Sequence, residues 1–165
     1  MRKNQKGFSL IELLIVVAII LIIAAIAIPN LLRARIAANE ASAVGSVRTI
    51  VTAEVTYSST WGTGFAATIA KLGGANPCTA AAAAACLIDP VLAAGNKSGY
   101  KLAAPGGAAV GGIVPTFAVS AVPQTVGQTG QRSFCSDESG VVRFDPLGAT
   151  TAATDTACEA LAPLQ

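Results

Sequence analysis

The chain has 165 residues, 53% of them hydrophobic, with no histidine, four cysteines and a formal net charge of +2. That length suits one domain plus an anchor and no second core. Arg2, Lys3 and Lys6 precede residue 8, and beyond them eight basic side chains face nine acidic ones, which excludes a nucleic-acid surface built on bulk charge. No specific nucleic-acid partner is therefore inferred. Without histidine the commonest general base and metal ligand is missing, and neither a Cys-x-x-Cys pair nor a nucleophile motif occurs, so no catalysis and no cofactor are expected.

Residues 1 to 7 form a short basic leader. From Phe8 to Ile28 there are 21 residues with one charge, Glu12, and at about 1.5 Å of rise per residue they can cross a hydrocarbon core of about 30 Å. Phe8 and fourteen Ile, Leu and Val residues each favour insertion by roughly 0.3 to 0.6 kcal/mol, whereas Glu12 opposes it by at most about 3 kcal/mol. Insertion wins. An ionisable group in such a segment needs a partner, and no Lys or Arg follows Glu12 until Arg33, so the partner is expected outside this helix. The plain reading is a signal-anchor helix. A cleaved signal peptide ending at Ala25-Ile26-Ala27 would need too long an apolar region and would have to contain Glu12.

The run Lys6-Gly7-Phe8-Ser9-Leu10-Ile11-Glu12-Leu13 resembles the type IV prepilin leader junction shared by type IV pilins and type II secretion pseudopilins. The resemblance covers about the first thirty residues. It implies that a prepilin peptidase cuts between Gly7 and Phe8 and that Phe8 becomes N-methylated. It further implies that Glu12 neutralises the N-terminus of an adjacent subunit during assembly, and that Pro29 is a helix-kinking proline.

Residues 29 to 60 keep helical character, with Leu32, Ile36, Val44, Val47, Val51 and Val55 predicted on one face and Arg33, Arg35, Glu40, Arg48 and Thr52 on the others. At Pro29 a bend is expected rather than a stop, and Gly45 is a second weak point. A helix from Phe8 to about Thr60 would be roughly 80 Å long, far more than a small domain needs. Residues 61 to 98 shift to Gly, Ala, Asn and Pro and read as a connecting loop with one short helical turn. Gly62-Thr63-Gly64-Phe65-Ala66-Ala67 fits a dinucleotide fingerprint on paper, but it follows a helix where the fingerprint needs a strand.

Residues 99 to 165 turn to short strands: Tyr100 and Leu102, then Phe117, Val119 and Ala121, then Ser133 to Ser136 and Val141 to Asp145. Asp137-Glu138-Ser139-Gly140 reads as a turn that makes the last two a hairpin. Gly106-Gly107 and Gly111-Gly112 mark a flexible connection. From Pro146 the tail needs a tether to be ordered.

Four cysteines behind a membrane-targeting N-terminus indicate two disulfides in an oxidising compartment, which puts the C-terminal part outside the cytoplasm. Three pairings are open, and local spacing together with the family likeness favours Cys78 with Cys86 and Cys135 with Cys158. Asp137, Glu138 and Asp145 could gather around calcium, as in the C-terminal loops of some pseudopilins, but a solvated turn plus a strand-end aspartate is the favoured reading.

The expected fold is α+β and pilin-like: a long N-terminal helix packed on an antiparallel sheet of three to four strands. By the resemblance, most like a type IVa major pilin, the chain is a structural subunit of a type IV pilus for adhesion, twitching motility or DNA uptake. The implied partners are copies of itself, the prepilin peptidase, the inner-membrane assembly machinery, and membrane lipid before assembly. A type II secretion pseudopilin is the alternative, and a membrane-anchored binding module that never polymerises a lesser one.

Overall fold

A computed structural model describes residues 8 to 149 and 154 to 164. The leader residues, Gly7 among them, lie outside that range. The chain forms two compact units, residues 1 to 35 and 36 to 165, joined through one helix, α1 (Leu10–Trp61, 52 residues).

The helix start is capped by a glutamate. Ser9 precedes the first helical residue, and Glu12, three residues on, turns its Oε2 back to accept the Ser9 backbone N–H at 3.0 Å, satisfying one of the donors that every helix start leaves orphaned. The helical backbone continues through Pro29, whose ring removes one N–H from the ladder.

Within residues 36 to 165, α1 buries Glu40, Ala43, Ser46, Val47, Ile50, Ala53, Glu54 and Tyr57. This stripe keeps the 3.6-residue period but is rotated from the predicted one. Val47 stays at its centre, Val44 and Val51 are half-buried, and Val55 is exposed. The rotation has a cause, because Glu40 and Glu54 both face inward, each with partners from distant loops that make the burial tolerable.

The stripe packs on one six-stranded antiparallel sheet in the sequential order β1 (Asn96–Lys97), β2 (Tyr100–Ala103), β3 (Ala118–Pro123), β4 (Ser133–Asp137), β5 (Arg143–Asp145), β6 (Ala162–Pro163). Register places Leu102 opposite Ala121, Ala121 opposite Phe134 and Phe134 opposite Phe144, so these share the face turned to α1. There Tyr100, Leu102, Val119 and Phe134 join Val47, Ile50, Leu72, Leu92 and Phe117 in one core. Each large side chain so buried stabilises the fold by roughly 1.5–3 kcal/mol.

The sheet has six strands where three to four were expected. The extra two are two-residue edges, too short for an alternation pattern to register. β1 follows a helix, and β6 exists because the tail returns to pair with β5 after Cys158 has tied it to Cys135 on β4. Residues 61 to 98 hold two short helices rather than one turn, α2 (Ile69–Leu72) and α3 (Pro90–Ala93). α3 is started by Asp89, whose Oδ1 accepts the Leu92 N–H, and by Pro90 at the first position. A disulfide joins Cys78 and Cys86, with Cα atoms 6.1 Å apart.

The glycine-rich connection from 106 to 112 is tied down. The Gly107 N–H reaches the Thr116 carbonyl, and Val110 and Ile113 exchange backbone bonds. Gly64 sits at φ +76° against the Val114 backbone, where a Cβ would collide, so this glycine of the nominal fingerprint serves a close backbone approach. At the β4–β5 turn Asp137 Oδ1 accepts the Ser139 N–H at 2.8 Å, and Gly140 takes φ +72°. Val141 falls outside β5; its carbonyl accepts the Ser136 hydroxyl instead. On the outer face, α4 (Asp155–Glu159) lies over β4, held by the Cys135–Cys158 disulfide.

Candidate functional site

The N-terminal segment exposes a continuous apolar surface. From Phe8, 81% exposed, through Leu10, Ile11, Leu13 and onward to Leu32, every large apolar side chain is solvent-facing. The segment reaches a mean hydropathy of 3.3. A helix apolar on all sides belongs inside a lipid or protein core. With each such side chain worth roughly 1.5–3 kcal/mol when removed from water, the isolated segment is strongly driven to acquire a covering.

Glu12 is the only charge in that stretch. One of its carboxylate oxygens is engaged by the Ser9 N–H, which gives the side chain a local structural role that does not use the whole carboxylate. Phe8 lies just ahead of it. Pro29 lies inside the helix, well away from both.

Two more carboxylates emerge within residues 36 to 165, and the sequence reading missed both. Glu40 is 7% exposed and closes a clamp. Its Oε1 accepts the backbone N–H groups of Gln131 and Arg132 at 3.0 and 3.1 Å, and its Oε2 accepts Arg132 Nε and Nη2 at 2.9 and 2.7 Å. Burial pushes its pKa up, but the Arg132 guanidinium and the two backbone donors outweigh it and hold the group below the usual carboxylate range. Arg132 also lies over the rings of Phe134 and Phe144, about 5.4 and 5.5 Å from their centroids. The clamp fastens α1 to the segment entering β4.

Glu54 is fully buried. Its Oε2 accepts the Ala66 N–H at 2.7 Å, while Oε1 has no hydrogen-bond partner. Burial raises its pKa from 4.5 to about 7, and the one backbone bond opposes this only in part. No sequence signal distinguished these two glutamates from solvated ones, since their partners lie 12 and 92 residues away.

The calcium candidates do not converge. Asp137 is buried at the turn end of β4, Glu138 is exposed beside it, and Asp145 is paired with Ser133 at the opposite end of that strand. Four residue steps along β4, about 13 Å, separate the two aspartates. Among the described residues no group of three His, Cys, Asp or Glu side chains could hold a metal ion.

Comparison with known proteins places one similarity at the N-terminal end. Residues 2–28 match the family described as the prokaryotic N-terminal methylation motif. The chain is 68% identical over 38 residues to the type IV wide pilus major component PilA4 of Thermus thermophilus, covering 23% of this chain and 29% of that protein. It is 43% identical over 54 residues to the type IV major pilin protein PilA of Myxococcus xanthus, covering 33% and 24% respectively. The chain thus spans less than a third of the length of these relatives, and no solved structure matches it. The segment that carries the exposed apolar surface therefore lies largely within the methylation motif, and the chain shares homology over part of its length with two type IV major pilins.

Proposed function

We propose that the chain is the structural subunit of a type IV pilus. The observation that carries this reading is the exposed apolar surface from Phe8 to Leu32, in a chain that matches a methylation motif and, over part of its length, two major pilins. Before assembly lipid covers that surface, with the segment anchored in the bacterial inner membrane and the C-terminal part on the periplasmic side. A prepilin peptidase cuts between Gly7 and Phe8, and the new terminus is methylated. The inner-membrane assembly machinery then transfers the helix from lipid into a bundle of copies of itself. One apolar environment replaces the other, so the transfer need not expose the segment to water.

Glu12 sets the register. A carboxylate in an apolar bundle is costly unless paired, and the amino terminus of a neighbouring subunit, displaced along the axis, is the available cation. Adhesion, twitching motility and DNA uptake are properties of the resulting fibre rather than of one chain.

The test is to shear the cell surface, collect filaments, and take the intact mass and N-terminal sequence of the dominant subunit. Abundant fibres whose subunit begins at a methylated Phe8, with all four cysteines oxidised, are expected. The processed chain confined to the membrane fraction would instead indicate a secretion pseudopilin or a minor pilus subunit. A chain beginning at Ile28 would refute the prepilin reading.

A further inference from the structure

The charged side chains of residues 36 to 165 are divided by sequence and by position in the sheet. Residues 36 to 123 carry four basic and three acidic side chains, whereas residues 124 to 165 carry two basic and five acidic ones. Of the three acidic groups in the first set, Glu40 is consumed by Arg132, Glu54 is buried and Asp89 is paired with Lys97 of β1. Asp137 and Asp145 of the second set are buried as well, so the unpaired surface charges nearest the two ends of the sheet are Lys101 on β2 and Glu138 and Glu159 beside β4.

A groove lies over β2 and β3 around Lys101. It has a volume of about 460 Å³ and is lined by Lys101, Ala103, Pro105, Ser120, Val122 and Pro123 among others. The ladder pairs Lys101 with Val122, Ala103 with Ser120, and Ser120 with Cys135. Directly paired residues point to the same side, so the groove and the Cys135–Cys158 disulfide occupy one face, the outer one. α4 lies over β4 on that face, tied to it by its disulfide, and beside it Lys101 and Ala103 of β2 are exposed while Val122 of β3 is half-buried.

What would fill the groove must be largely apolar, small in its side chains, and anionic at one point to meet Lys101. α4 has that composition. Glu159 is exposed between Ala157 and Ala160, both exposed as well. Among the described residues neither Lys101 nor Glu159 has an ion-pair partner.

We infer that the β2–β3 groove around Lys101 receives α4 of a second copy of this chain, with Glu159 of that copy set against Lys101. The contact uses two different surfaces of the same subunit, so it is heterologous and propagates rather than closing. It rests on the reading of the chain as a filament subunit. The charge pair sets register and partner choice, and the apolar walls supply the buried area.

The test joins cross-linking to charge exchange in the full chain. A zero-length carbodiimide, which condenses a lysine amine with a carboxylate, is applied to filaments and to the purified chain at high density in micelles, using mixed light and 15N-labelled subunits. An intermolecular Lys101–Glu159 peptide is expected in both. Lys101→Glu and Glu159→Lys should each lower the yield of sheared filaments about tenfold, equivalent to about 1.4 kcal/mol at the contact, with the membrane level of the chain unchanged. The double variant restores the opposite charges and should recover the yield. Filaments of normal yield from either single variant, a double variant no better than the singles, or the absence of that cross-linked peptide would each overturn the docking. Wild-type cells without filaments would overturn the pilus reading instead, while the micelle cross-link would still decide the docking.

Discussion

Glu54 couples the stability of the C-terminal unit to pH in a direction unusual for a carboxylate. Its pKa is raised from 4.5 to about 7 by burial, so the folded state holds the proton more tightly than the unfolded chain does. The stability this contributes is complete below about pH 4.5, declines as pH rises between 4.5 and 7, and is gone above 7. With about 1.4 kcal/mol for each pH unit of that window, the ionised side chain costs the fold at most about 3 kcal/mol in mildly alkaline solution. Glu54→Gln keeps an oxygen to accept the Ala66 N–H and removes the charge. The variant should match wild type near pH 4.5 and exceed it by up to about 3 kcal/mol at pH 8, or about 6–12 °C in Tm for a chain of this size.

The assay is thermal unfolding of the full chain in detergent micelles, followed by near-UV circular dichroism from pH 4.5 to 8.5. Glu40 contributes with the opposite sign. Its lowered pKa gives stability that is present above 4.5 and is lost in more acid solution, outside the window used for Glu54. The difference between wild type and Glu54→Gln therefore isolates Glu54. A Tm difference that is the same at pH 4.5 and pH 8, or a variant less stable at pH 8, would refute the reasoning.

Glu12→Ala should abolish filaments while leaving membrane insertion intact, measured by comparing sheared and membrane fractions. Glu40→Ala removes four hydrogen bonds and strands Arg132 against two rings, and should lower the unfolding free energy by about 2 kcal/mol or more in urea titrations. Replacing Cys135 and Cys158 by serine opens a 24-residue loop and should cost about 3 kcal/mol, with the α4 and β6 amides losing protection in hydrogen exchange. Removing divalent cations with a chelator should leave the Tm unchanged, because Asp137 and Asp145 stand at opposite ends of β4.

The N-terminal helix was legible because its signal is local: an uninterrupted apolar run, one carboxylate at a fixed place, and a leader junction in eight consecutive residues. The central strands were legible for the same reason, since Tyr100–Leu102 and Val119–Ala121 alternate at period two. What sequence reading missed depends on distance along the chain. The inward face of α1 was misplaced by about one position because Glu40 was taken as outward and Glu54 was given no face, and only Arg132 and Ala66, folded back onto them, draw the two carboxylates inward. β6 was invisible for a related reason. A two-residue strand has no pattern of its own, and it forms because Cys158 holds the tail within reach of β5.

The Glu12 cap at the start of α1 bears on how assembly begins. In the single chain Glu12 uses Oε2 to satisfy the Ser9 N–H, an interaction worth about 1 kcal/mol. A carboxylate accepts along both oxygens, so an incoming amino terminus can take Oε1 without breaking the cap. The cap also fixes the side chain toward the N-terminal end of the helix, the end at which Phe8 would carry its amine after processing. On the pilus reading, Glu12 thus orders its own helix start and presents its second oxygen to a neighbour. Glu12→Gln separates the two roles: the amide oxygen still caps Ser9, but no charge remains to meet an amine. Helix content measured by far-UV circular dichroism in micelles should stay at the wild-type level while filament yield falls. A loss of both together would mean that Glu12 acts in assembly only by ordering its own helix.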